Sequence, residues 1–267
     1  GVRATGKGDG GDLGRESMNA QDPYVFDSIA NAYHSTRSFP PEVMEKIVLR
    51  LGAHLGTGGP MLDVGVGTGR FAAPLAKLGL NVVGIDLARN MMAKAREKGF
   101  DNILMASATD MPFRDGAFES ATMVHVLHLI PDWQGALSEL SRVVRGSLFT
   151  VATVTEKLHE PRAIYERRLE ELGYGRAYLG MHEKMLAKRL EPDEAEHVCD
   201  HDVTMPADTY IGNLERREYS WATRLPDEAH KAVVEEIRHA LGGTTETVRG
   251  RIFIYRWKAR RLASVPK

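Results

Sequence analysis

Apolar positions in the central part of this chain follow two alternating patterns. Short apolar runs near residues 61–64, 82–85, 103–106, 119–127 and 147–154 are bounded by glycine, proline and polar turn signals, and read as buried strands. Amphipathic stretches near 69–78, 90–98 and 132–144 lie between them, with apolar residues at helical spacing. Strand and helix in alternation predict a parallel sheet covered on both faces. Upstream, Asp22-Pro23 has the form of a helix start, carrying Tyr24, Phe26, Ile29, Ala30 and Tyr33. A second helix is expected from Pro40-Pro41, with Val43, Ile47, Val48 and Leu51 on one face and Gly52 near its end.

After Val154 helical periodicity replaces the alternation. It appears at Ile164, Arg168, Leu169 and Leu172, ended by Gly173, and again at Met181, Met185, Leu186 and Leu190, ended near Pro192. A sixth strand is expected within His197–Thr204 and a helix near Ala207–Ser220. Pro226–Leu241 reads as a helix with the stripe Val233, Val234, Ile237 and Leu241, stopped by Gly242-Gly243. Arg249–Trp257 alternates and is expected to be the last strand, antiparallel to the others. The organisation predicted is a polar leader or tag remnant at 1–17, a helical cap at 18–57, a core at 58–154, helices and a sixth strand at 155–225, and a helix and strand completing the core at 226–267.

Composition narrows the picture. The chain has 267 residues, enough for one α/β domain with an elaboration, and 43% are hydrophobic. With 35 basic and 36 acidic residues the net charge is −1, which carries no electrostatic footprint for nucleic acid or an anionic membrane. No apolar run is long enough to span a bilayer. The single cysteine, Cys199, leaves no internal disulfide and fits a reducing cytoplasm, which is the expected location. Residues 1–17 are glycine-rich and polar, without the apolar core of a signal peptide, and the first methionine is Met18.

The candidate chemistry centres on residues 62–70, Leu-Asp-Val-Gly-Val-Gly-Thr-Gly-Arg. Glycines stand at every second position, Gly65, Gly67 and Gly69, between a strand and a helix. That architecture brings backbone close to a nucleotide-like ligand, because glycine adopts positive φ and has no Cβ to hold the ligand away. A side chain at Gly67 is therefore expected to harm ligand binding more than folding. Asp86 ends the next strand, about where a ribose-binding carboxylate belongs, roughly 20 residues beyond the glycines. Dinucleotide folds space their glycines as Gly-x-Gly-x-x-Gly, and the spacing here differs.

The pattern resembles motif I of class I S-adenosylmethionine-dependent methyltransferases, (Asp/Glu)-x-Gly-x-Gly-x-Gly. The resemblance continues in order through VVGIDLARNMM (82–92), ASATDMPF (106–113), FESATMVHVLHLIPDW (118–133) and LSELSRVV (137–144), covering about residues 60–155. It is strongest to the broad type 11 set of small-molecule methylators. Ser107 stands where the family commonly has Asp, and the Pro-Gly-Gly turn before strand five is missing.

The resemblance implies a Rossmann-like α/β fold with a seven-stranded, mostly parallel sheet and an antiparallel last strand. It implies helices inserted around strand six, residues 155–225, as a lid over the acceptor. The implied cofactor is S-adenosyl-L-methionine, with S-adenosyl-L-homocysteine as product. The implied partner is a small-molecule acceptor, with no nucleic acid, no membrane and an oligomeric state left open. Implied cofactor contacts are Asp63, Gly65, Val66, Gly67, Gly69, Asp86, Leu87, Met92, Ser107, Ala108, Thr109 and His125, with Tyr33 and Arg37 from the N-terminal helix. Asp63 orients the loop, with or without a water-mediated reach to the cofactor. Leu87 and Met92 pack either on the adenosine or in the core. His125 and His128, at the exit of strand four, are candidates to orient or deprotonate the acceptor, with local backbone bonding as the alternative role.

His197, Cys199 and His201 would share one strand face. Same-face neighbours on a strand stand roughly 6.5–7 Å apart, too far to converge on one ion, so no metal is expected. Tyr165, Tyr174, Tyr178, Tyr210 and Trp221 either line an aromatic pocket or pack as core. Two functions follow: a methyltransferase acting on a small molecule, or an S-adenosylmethionine-binding regulatory or scaffold protein without turnover.

Overall fold

Met61–Val64 is buried along its whole length and lies inside the sheet with a parallel neighbour on each side, as befits a strand covered on both faces. The computed structural model of the chain describes residues 39–175 and 180–265. The expected leader, the helix from Asp22, and the residues Tyr33, Arg37 and Tyr178 lie outside the described residues.

In chain order the elements are α1 (Pro41–Leu55), β1 (Met61–Val64), α2 (Ala72–Lys77), β2 (Val82–Asp86), α3 (Arg89–Glu97), β3 (Ile103–Met105) and β4 (Phe118–Thr122). They continue with α4 (Trp133–Val143), β5 (Val144–Thr155), α5 (Glu160–Glu171), α6 (Glu183–Arg189) and β6 (Glu194–Asp200). Last come β7 (Val203–Pro206), α7 (Ala207–Glu215), α8 (Asp227–Leu241), β8 (Thr245–Val248) and β9 (Gly250–Lys258). Seven strands form one sheet in the order β3-β2-β1-β4-β5-β9-β6. β9 runs antiparallel to both neighbours, and the pairs among β1 to β5 are parallel. This is the mostly parallel sheet with an antiparallel last strand that the alternation and the resemblance led us to expect.

The chain leaves β1 towards β2 and β3 on one side, and β4 and β5 lie on the other. The order therefore reverses between β1 and β4, and ligands in open α/β sheets bind beyond the strand ends at that point. The two faces separate by strand periodicity. Leu62 and Val64 pack with Leu137 and Leu140 of α4, whereas Met61 packs with Ile47 and Leu51 of α1 and Leu75 of α2. Burying one Leu-sized side chain contributes about 1.5–3 kcal/mol, so these two layers fix the sheet between its helices.

Several elements depart from the sequence pattern. β4 ends at Thr122 rather than near 127, because its partner β1 stops where Gly65 turns the chain away. The following backbone turns through a left-handed His125 (φ 59°) into a short 3-10 turn at Leu127–Leu129. β5 begins at Val144, directly off α4, which accounts for the missing turn. The expected sixth strand is split: β6 stays in the main sheet, and β7 leaves it to pair with β8 in a separate two-stranded ribbon.

The grouping of helices also differs. The sequence pattern joined Pro226–Leu241 to the core through the last strand. Instead Val233, Val234 and Ile237 of α8 pack with Leu169 of α5 and Ile211 and Leu214 of α7, in a third cluster. Tyr165, Tyr210 and Trp221 are buried in that cluster, with Tyr165 Oη hydrogen-bonded to His230 Nδ1 at 2.7 Å, so these aromatics are core. Tyr174 is exposed. Among the described residues no helix is long and apolar enough to cross a membrane.

Candidate functional site

The glycine loop leaves β1 at the reversal point, and its glycines answer to different constraints. Gly65 has φ 71°, and a Cβ there would lie 2.3 Å from Cγ2 of Val126 on the β4 exit loop. Gly67 has φ 53°, yet a Cβ there would meet only Gly65 O, at 3.9 Å, so the space beside it is open to the cleft. Gly69 faces Ala95 of α3, and Val66 is buried over Gly84 of β2, so neither lines the cleft. The loop is held by N–H bonds from Gly65 and Val66 to Ile85 O, at 2.8 and 2.9 Å.

Asp86, at the end of β2, organises the same loop. Its Oδ2 accepts from Gly67 N–H at 2.7 Å and its Oδ1 from Ala88 N–H at 2.8 Å. A carboxylate offers about four acceptor positions, so one such group can serve both backbone donors and ligand hydroxyls. Beyond it, Leu87 is exposed at the cleft rim and Met91 lines the cleft wall. Met92, the methionine marked by the resemblance, is buried in α3 off the cleft. One residue along a helix is a rotation of about 100°, which is enough to exchange the two faces.

Ser107, Ala108 and Thr109 form the opposite wall. The hydroxyls of Ser107 and Thr109 lie 2.8 Å apart, and Thr109 N–H donates to Ser107 Oγ at 3.2 Å. Ser107, which stands where the family it resembles commonly has Asp, thus closes its own turn. The third wall is the β4 exit loop, with His125, Val126, Leu129, Ile130 and Pro131.

The cleft encloses about 380 Å³, within the usual range of about 300–1,000 Å³ for small-molecule sites. It brings together Gly65, Gly67, Asp86, Leu87, Ser107, Ala108, Thr109 and His125. Sequence reasoning missed Met91 and the apolar side chains of Val126, Leu129 and Ile130. The helical phase of α3 was the one available signal for Met91.

His128 departs from the expected placement. It is 6% exposed and off the cleft lining, turned inward by the 3-10 turn, and its ring stacks on that of His182 at 4.7 Å between centroids and 10° between planes. His128, His182 and Glu183 offer ligand atoms within 4.8 Å of one another. Stacked imidazoles direct their nitrogen lone pairs within parallel planes, so as they stand they do not aim at a common ion. On β6, a register shift between His197 and Cys199 breaks the face those two residues would share, and His197 Nε2 lies 3.0 Å from Asp200 Oδ1.

Asp63 lies beneath the glycine loop, 4% exposed and outside the cleft lining. Burial pushes its carboxyl up to about 7, opposed by the hydrogen bond from Thr122 Oγ1 at 2.7 Å and reinforced by the charge of Asp86. In the unfolded chain the group titrates near 3.8. Its contribution to stability is therefore complete below that pH, and is lost as pH rises towards about 7, where the folded chain must also ionise it. At about 1.4 kcal/mol per pH unit the loss is of the order of 4 kcal/mol. Asp63→Asn is expected to remove most of this slope, gaining on wild type between about pH 5 and pH 8 in urea denaturation. Parallel pH profiles for the two proteins would refute the assignment.

Comparison with known proteins agrees with the architecture. Residues 62–149 match the methyltransferase-domain family. A demethylmenaquinone methyltransferase from Beutenbergia cavernae is 33% identical over 135 residues, 48% of this chain and 55% of the relative. A phosphatidylethanolamine N-methyltransferase from Cereibacter sphaeroides is 28% identical over 174 residues, 62% of this chain and 84% of the relative. That second relative apart, the chain spans about half the length of the first curated relatives it matches. A solved structure from Bacillus halodurans C-125, assigned as a methyltransferase, superposes with a TM-score of 0.53 at 20% identity, covering 81% of this chain and 98% of that one. At that identity the likeness speaks for a shared fold.

Proposed function

We propose that this chain, a member of the class I S-adenosylmethionine-dependent methyltransferases with its methyltransferase domain at residues 62–149, transfers a methyl group to a small-molecule acceptor. The observation that carries this reading is the Asp86 carboxylate, bonded to the glycine loop at Gly67 and facing a cleft of about 380 Å³. The residues present fit the cofactor. A carboxylate beside a glycine loop suits a ribose diol, and the open space at Gly67 lets backbone approach it. Leu87, Met91 and the turn at Ser107–Thr109 offer a slot for a flat heteroaromatic ring. When bound, S-adenosylmethionine supplies a methyl group already activated on a sulfonium.

The protein's part is to orient, to exclude water and, where the acceptor must lose a proton, to hold a base. Asp86 holds the ribose, and the β4 exit loop closes the far wall. His125 lines that wall and is the residue we assign to that role. Leu129 and Ile130 exclude water on the loop side. A small acceptor is favoured by the net charge of −1, by the apolar lining, and by curated relatives named for methylating demethylmenaquinone and phosphatidylethanolamine.

Calorimetric titration with S-adenosylhomocysteine is expected to show binding in the micromolar range, about −8 kcal/mol. NADH is expected to give no heat of binding. Absence of S-adenosylhomocysteine binding would sink the proposal. Binding without product across a panel of small acceptors would favour a cofactor-binding protein without turnover.

A further inference from the structure

We propose that Glu183 is a positioning residue for the cleft: from the inserted helical segment, its carboxylate pins the His125–Val126 backbone against the glycine loop. The inference rests on reading the cleft as the cofactor site. Glu183 opens α6 and is 4% exposed, an unusual place for a carboxylate without a task. Its Oε1 accepts the backbone N–H of His125 at 3.0 Å. His125 holds a left-handed backbone at φ 59°, which non-glycine residues adopt only when their surroundings impose it. The next residue, Val126, fills the space where a side chain on Gly65 would stand. Inserted segment, β4 exit loop and glycine loop thus form one chain of contacts.

Two further bonds make the junction a clamp. Gly180 N–H donates to His128 O at 3.0 Å, and Met181 N–H to Leu127 O at 3.3 Å. The residues just before α6 therefore run along the 3-10 turn, and Glu183 continues that contact to His125. The charge has its own supports. Burial alone would push the Glu183 carboxyl up, but the His182 imidazole, 3.8 Å from Oε2, and the fields of His125 and His128 outweigh it and hold it below the usual carboxylate range. An ionised acceptor makes a hydrogen bond roughly twice as strong as a neutral one. The ionised carboxylate thus strengthens the bond from the His125 N–H, and the acceptor oxygen itself holds the left-handed turn beside the cleft. The consequence is that the inserted segment and the cofactor cleft are mechanically linked by the Glu183 carboxylate together with these two backbone bonds.

The test uses the full chain, with wild type, Glu183→Ala and Glu183→Gln titrated in parallel with S-adenosylhomocysteine. Alanine removes the acceptor and is expected to weaken affinity about tenfold or more. Glutamine keeps an acceptor oxygen for the His125 N–H and is expected to recover affinity to within about threefold of wild type. Hydrogen exchange of the peptide spanning residues 123–129 is expected to quicken in alanine strongly and in glutamine weakly, while β1 and β2 stay protected. If alanine fails to fold, the glutamine exchange pattern decides by itself: unchanged exchange at 123–129 overturns the proposal. A folded alanine variant with wild-type affinity overturns it too, as does a glutamine variant no better than alanine. No binding by wild type would instead overturn the cofactor reading of the cleft.

Discussion

Replacing Gly65 by alanine is expected to cost about 2–5 kcal/mol of stability and to abolish ligand binding in the cleft. Two penalties combine at this position. A left-handed backbone costs a residue with a Cβ roughly 1–2 kcal/mol. The new Cβ would also lie 2.3 Å from Cγ2 and 2.7 Å from Cγ1 of Val126, far inside contact distance. Relief requires Val126 and the β4 exit loop to move, and overpacking of this kind costs about 1–3 kcal/mol. That loop is the wall carrying His125, so the shift deforms the cleft itself. Gly67→Ala is the internal control, since its Cβ would find only Gly65 O at 3.9 Å and suffer the backbone penalty alone. Urea denaturation and S-adenosylhomocysteine titration of both variants give the comparison. Equal stability losses at the two positions would show that Val126 does not constrain Gly65.

Asp86→Ala is expected to lower S-adenosylhomocysteine affinity by about tenfold to a hundredfold, the cost of a lost charge-assisted contact of about 1.5–3 kcal/mol. The unliganded geometry adds a second effect. The carboxylate already holds Gly67 N–H and Ala88 N–H, so its removal also loosens the glycine loop and the entry to α3. Asp86→Asn separates the two contributions, because one amide oxygen can still accept from the loop. Asparagine is expected to melt closer to wild type than alanine does, while still binding the ligand weakly. Calorimetry beside thermal melts reads both quantities. A folded Asp86→Ala variant with unchanged affinity would remove this carboxylate from the site.

The elements closest to the cleft were the most legible in the sequence. Gly65, Gly67 and Asp86 stand in a strand, loop and strand whose conformations depend on near neighbours in the chain, and all three line the cleft. The strand boundaries at Met61–Val64 and Val82–Asp86 follow from turn residues beside short apolar runs. Legibility fails at Met91 and Met92. Both are apolar, both are buried, and both fit the helical stripe, so only the orientation of α3 over the sheet tells which one faces the cleft. It fails at His128 as well, because a strand extrapolated to 127 places that side chain at the sheet edge, whereas the left-handed turn at His125 sends it into the core.

Local spacing in the sequence determined the order of strands and helices, the glycine loop, and the carboxylate at the end of the second strand. Backbone propensity, strand alternation and helical period act over a few residues and are written in the chain. The tertiary structure alone decided that α8 packs with α5 and α7, that Val126 closes on Gly65, and that Glu183 reaches His125. Those contacts join segments far apart in the chain, and a buried carboxylate or an apolar side chain carries no mark of its distant partner. Their positions follow from how the sheet twists and which helix faces find each other, which is settled only when the whole core closes.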